Sequence, residues 1–152
     1  MTRLAVIRCL LTIVVLGGLA GCMDVGAFRQ KQETERLMRA DWARDAADPV
    51  VCQRGEDCEV AWGRALQWIS ANSHWKLRNV TDFLIATEGP MDTDRPAFTI
   101  QKVPQGQGVY RIEMSAACAD TMDNRLRGCD PDVTYLIATF NRYVRERPRS
   151  EP

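Results

Sequence analysis

The sequence predicts an α+β fold: a two-layer sandwich in which a three-stranded antiparallel sheet carries two amphipathic helices on one face. Three observations predict it. Stretches beginning near Cys58 and at Asp130 repeat apolar residues at helical spacing. Between them, 75–87, 97–103 and 109–116 alternate apolar and polar residues, which is strand periodicity. The polar half of that alternation leaves one sheet face in water, so both helices belong on the other.

Taken in order, the chain starts with Arg3 and Arg8. Leu10 to Leu19 is then an apolar run broken only by Thr12, Gly17 and Gly18, and it ends in Leu19-Ala20-Gly21-Cys22. That run is about half of the ~20 residues a membrane helix needs. A basic start, a short apolar centre and small exit residues mark a secretory signal rather than a span. These residues resemble a bacterial lipoprotein signal peptide, with Leu19-Ala20-Gly21-Cys22 matching the lipobox at all four positions. The resemblance implies cleavage before Cys22, a diacylglycerol on its thiol and an acyl chain such as palmitate on its amine. Each buried methylene contributes about 0.8 kcal/mol and one chain holds only marginally, so two or three chains anchor stably. Met23, not Asp, follows Cys22. By the sorting rule of such lipoproteins this implies the outer membrane, facing the periplasm. The expected division is a cleaved signal over 1–21, a lipidated and partly helical tether over 22–48, a compact domain over 49–147 and a disordered tail over 148–152.

The whole chain of 152 residues has 20 basic and 20 acidic side chains; without Arg3 and Arg8 the net charge is −2. A nucleic-acid partner would call for a basic excess, so none is expected. Of six cysteines, Cys9 leaves with the signal and Cys22 takes the lipid. Cys52, Cys58, Cys118 and Cys129 remain, an even number that an oxidising compartment would pair. Cys52 with Cys58 and Cys118 with Cys129 close local loops, and a crossed pairing such as Cys52 with Cys118 stays open. Zinc favours cysteines two to four apart, often with histidines. The gaps here are wider and His74 is the single histidine, so no metal is expected.

Arg29 to Ala47 holds good helix formers but too few apolar residues for a wide stripe, so a solvated helix or tether is expected, with Trp42 a candidate partner contact. Pro49 ends it. Cys52 to Cys58 reads as a turn, and Asp57 as the cap of a helix to about Ala71. Ala61, Trp62, Ala65, Leu66 and Ile69 form its apolar face, with Trp68 at an edge; Gly63 hints at a close neighbour. Residues 75–87 read as one strand, bent or bulged near Asn79 to Asp82. Ala97 to Val103 and Val109 to Ala116 follow, joined by a hairpin loop at Pro104 to Gly108. In the polar loop from Cys118 to Cys129 the acids do not follow the calcium-loop spacing. Asp130 reads as a cap, Pro131 as the first helical residue, and Val133, Leu136, Ile137, Phe140 and Val144 as the buried stripe. Arg142, Arg145 and Arg147 complement the carboxyl end of that helix, and Pro148 closes it.

The order helix, three strands, helix is similar to small periplasmic lipoprotein domains, including helix-grip modules; that likeness concerns fold and does not fix function. No nucleophile-and-base set is apparent. His74 reads as a surface residue, and the neighbouring acids Glu56–Asp57 and Asp92–Asp94 as ordinary loop acids. No catalytic residue and no cofactor is therefore expected. Two functional classes are expected instead. One is a non-enzymatic envelope module that binds an envelope protein or assists assembly. The other is a small-ligand or glycan binder using Trp68, Trp75 or Trp42.

Overall fold

A computed structural model describes residues 26–91, 94–119 and 128–146. The signal, Cys22, Asp92 and most of the loop closed by Cys118 and Cys129 lie outside the described residues. The chain divides into two units, 1–40 and 41–152. In the first, residues 26–40 are helical and exposed throughout, Phe28, Leu37 and Met38 included. The helix (α1, 26–47) ends inside the second unit.

The second unit runs β1 (Val50–Gln53), α2 (Glu56–Asn72), β2 (Leu77–Val80), β3 (Leu84–Thr87), β4 (Ala97–Gly106), β5 (Val109–Ala117) and α3 (Val133–Arg145). The strands form one sheet in the order β1-β5-β4-β3-β2, and every pairing is antiparallel. Strands β2 to β5 are a meander, β1 joins its far edge, and α2 connects the two edges. Buried residues of α2, of α3 and of one sheet face make a single core. The α+β class thus holds, with five strands instead of three.

Both extra strands have local causes. β1 is only four residues, Val-Val-Cys-Gln, too short to reveal a period, yet Val50 and Cys52 are buried while Val51 and Gln53 are exposed. The run 75–87 does not bend but doubles back, pairing Val80 with Ile85. Thr81 makes the turn: its hydroxyl accepts from the Phe83 and Leu84 amides at 3.3 and 3.0 Å, and its own N–H donates to the Leu84 carbonyl at 2.8 Å. A hydroxyl that satisfies two turn amides stabilises the reversal over a continued strand. The β4–β5 turn is tighter than the composition suggests, because Gln107 and Gly108 both take positive φ, as a two-residue hairpin requires.

The helices also start differently. Gly55, at φ 103°, is the N-cap of α2, so Asp57 lies in the first turn, where it accepts from the Gln53 amide at 3.1 Å. The buried line of α2 is Cys58, Ala61, Ala65, Trp68 and Ile69. Trp68 is therefore central, and Trp62 and Leu66 flank it half-buried. The Trp68 ring meets Phe98 and Phe140 edge-on at 5.6 and 5.4 Å, which joins α2, β4 and α3. Such pairs add about 0.5–1.5 kcal/mol beyond their burial. In α3 the cap is Asp132, two residues past the expected Asp130; its carboxylate accepts from Thr134 and Tyr135 at 2.8 and 3.3 Å. Leu136, Phe140 and Val144 of the expected stripe are buried, and Ile137 packs against them half-buried.

Cross-links tie these pieces together. Disulfides join Cys52 to Cys58 and Cys118 to Cys129. The first fastens β1 to the opening turn of α2, with both residues buried. Arg64 of α2 lies over the Tyr143 ring at 4.5 Å and donates to the Tyr143 carbonyl, bridging to α3. Asn141, buried on α3, donates to the Asp45 and Ala46 carbonyls at 3.0 and 3.3 Å, so it satisfies acceptors left free where α1 ends. Arg142 pairs with Asp45 and Arg145 with Asp48.

Candidate functional site

The inward positions of β3, β4 and β5 continue past the core. Beyond Ile85, Ile100 and Ile112 the next residues of the same parity are Phe83, Lys102 and Tyr110. Here α2 offers Glu59, Trp62 and Gly63; a Cβ added at Gly63 would meet nothing within 4 Å. Among the described residues the close neighbour expected at Gly63 is absent, and the space is a groove of about 500 Å³. Arg54, Glu59, Trp62, Asp82, Phe83, Lys102 and Tyr110 line it. That volume lies within the ~300–1,000 Å³ range of small-molecule sites.

Trp62, Lys102, Arg54 and Phe83 each have a nameable contact. The Trp62 indole N–H donates to the Thr81 carbonyl at 3.1 Å, so the turn that reverses 75–87 also orients this ring. The Lys102 ammonium sits 4.9 Å from the Trp62 ring centre and 5.4 Å from that of Phe83. Ring faces attract a cation without neutralising it. Among the described residues no carboxylate forms an ion pair with Lys102 or Arg54. Arg54 donates to the Tyr110 hydroxyl at 3.3 Å. Phe83 is 55% exposed, and its ring stands 6.5 Å from Tyr110 at a 42° tilt, an open aromatic corner. Glu59 and Asp82 are exposed carboxylates of the same groove.

The tryptophans singled out as ligand platforms do not share a cavity. Trp68 is core, Trp42 meets Tyr135 edge-on at 4.9 Å, and the Trp75 ring lies on the backbone at Gly89. The groove uses Trp62, which the sequence reads first as packing and, with Trp68, second as a platform for sugar rings. The groove's other sequence signal is Lys102, a cation in the inward register of β4.

His74 is exposed, edge-on to Trp75 at 5.4 Å, and lines a smaller depression of about 230 Å³ with Arg95, Asp130 and Tyr135. Among the described residues it makes no hydrogen bond or ion pair with Asp130, and no group of three or more metal-ligating side chains gathers. The Asp57 carboxylate serves the Gln53 amide. Among the described residues no helix is long and apolar enough to cross a membrane. Comparison with known proteins gives no match: no family model, no curated protein and no solved structure aligns with this chain.

Proposed function

We propose that the protein is a lipid-anchored lipoprotein of the bacterial envelope, held by acyl chains on Cys22 at the periplasmic side of the outer membrane, whose folded unit works by recognition rather than catalysis. The observation that carries this reading is the pair of cystines. Bridges Cys52–Cys58 and Cys118–Cys129 in one small unit support an exported protein, since cytosolic reductants keep such thiols reduced. The lipobox supplies the reason it would stay on a membrane. An envelope protein is the partner class of this reading, and the sheet face bearing Arg111, Glu113 and Ser115, opposite the helices, is a surface on which one could dock.

The test is fractionation of bacteria that express the full chain. The native protein goes with outer membranes, and Cys22→Ser, which can be neither lipidated nor cut at that site, is lost from them. Equal recovery of the two in the outer membrane removes the anchor from the account. Crosslinking in intact cells, read by mass spectrometry, then names the partner.

A second reading, a small-ligand or glycan binder, is favoured by one observation: the groove at Trp62, Phe83 and Tyr110, with a Lys102 that pairs with no carboxylate among the described residues. Of the tryptophans read from the sequence as sugar platforms, Trp62 lines this groove, and Phe83 and Tyr110 stand in place of Trp68, Trp75 and Trp42.

A further inference from the structure

We infer that the Trp62–Phe83–Tyr110 groove binds a sugar ring that carries a carboxylate, with Lys102 as the anion's partner. The inference rests on the glycan reading above and narrows it to one chemical class. Three features argue for it together. The tilted Phe83 and Tyr110 rings, with Phe83 55% exposed, form an open apolar corner suited to the C–H face of a pyranose. Lys102 is half-buried, its ammonium lies near the Trp62 and Phe83 rings, and it has no carboxylate partner among the described residues, so its N–H donors remain for an anion. An incoming carboxylate would gain a charge-assisted hydrogen bond in a partly dry site. The exposed Glu59 and Asp82 carboxylates lie in the same groove. They accept hydrogen bonds and donate none, which suits sugar hydroxyls and disfavours a plain aromatic acid.

The elements that carry these groups are fixed before any ligand arrives. Trp62 is tied to Thr81, the Lys102 amide to the Phe83 carbonyl at 3.0 Å, and Arg54 to Tyr110, so the groove is organised in advance.

The experiment is an NMR titration of the full chain in detergent micelles with two probes. N-acetylmuramic acid and N-acetylglucosamine differ by one carboxylate-bearing ether. The expected result is that the acid shifts the Trp62 indole N–H signal, leaves that of buried Trp68 in place and binds about tenfold or more tighter than the neutral sugar. Lys102→Met then abolishes the difference between the probes, while Phe83→Ala weakens both. Signal dispersion reports whether each variant is folded. Should Lys102→Met unfold, the salt dependence of the native protein decides: the acid's affinity falls with added salt and the neutral sugar's does not. Equal affinity for the two probes, or salt-independent binding of the acid, overturns the inference and leaves the glycan reading standing. No shift with either sugar overturns both.

Discussion

Gly89 has a positive φ of 80°, and a Cβ placed there would stand 2.7 Å from two atoms of the Trp75 ring. The ring is also held by its indole N–H, which donates to the Arg95 carbonyl at 3.3 Å. It has no ready escape. Gly89→Ala is therefore expected to destabilise the fold by about 2 kcal/mol or more, from the left-handed backbone and the clash together; urea denaturation checks this. At the scale of single residues the sequence is informative about composition and weak about direction. Trp62 and Trp68 sit on one helix and both fit its apolar pattern, yet Trp68 is core and Trp62 faces a groove. Which of them turns inward depends on where α2 crosses the sheet, and no local property of the helix carries that.

Between elements, the end of α1 and the last turns of α3 are joined by charge. The side-chain hydrogen bond from Arg142 holds the Asp45 carboxyl below its ordinary value of 3.8, with the nearby positive charges adding to the effect. Asp45 in turn raises the Arg142 guanidinium. A carboxyl lowered in the folded state binds fewer protons there than in the unfolded chain, so folding stability rises with pH across the interval between the two values. The contribution is complete above about pH 5 and is lost as pH falls through the lowered value, beneath 3.8. Comparison of the native protein with Arg142→Met in urea is expected to show a gap in midpoint that closes in acid and narrows in salt; a gap that widens in acid contradicts the assignment. The elements themselves were partly legible. The stripe of α3 stands out because Leu136, Phe140 and Val144 repeat without interruption. β1 was hidden because four residues cannot show a period, and the β2–β3 reversal because it depends on one hydroxyl, that of Thr81, inside an otherwise strand-like run.

For the whole molecule the disulfides connect stability to place. The Cys52–Cys58 bridge closes a loop six residues apart in sequence, and in the chain-entropy view such a loop contributes about 2 kcal/mol. Cys52→Ala combined with Cys58→Ala is expected to lower the unfolding free energy by about that much, measured in urea without reductant. The reduced parent should lose more than this variant does, because reductant also opens Cys118–Cys129. The proposed address and the proposed groove rest on different kinds of signal. A cleavage signal is a linear string, so the proposal at Leu19-Ala20-Gly21-Cys22 needs no fold, whereas the groove draws on the β1–α2 turn, α2, the β2–β3 turn, β4 and β5 and exists only once they pair. The claim on which the rest depends is the lipid at Cys22. The intact mass of the protein extracted from native membranes tests it most directly. The account predicts a chain that begins at Cys22 and carries two or three acyl chains; an unmodified amino terminus, or a chain that begins before residue 22, contradicts it.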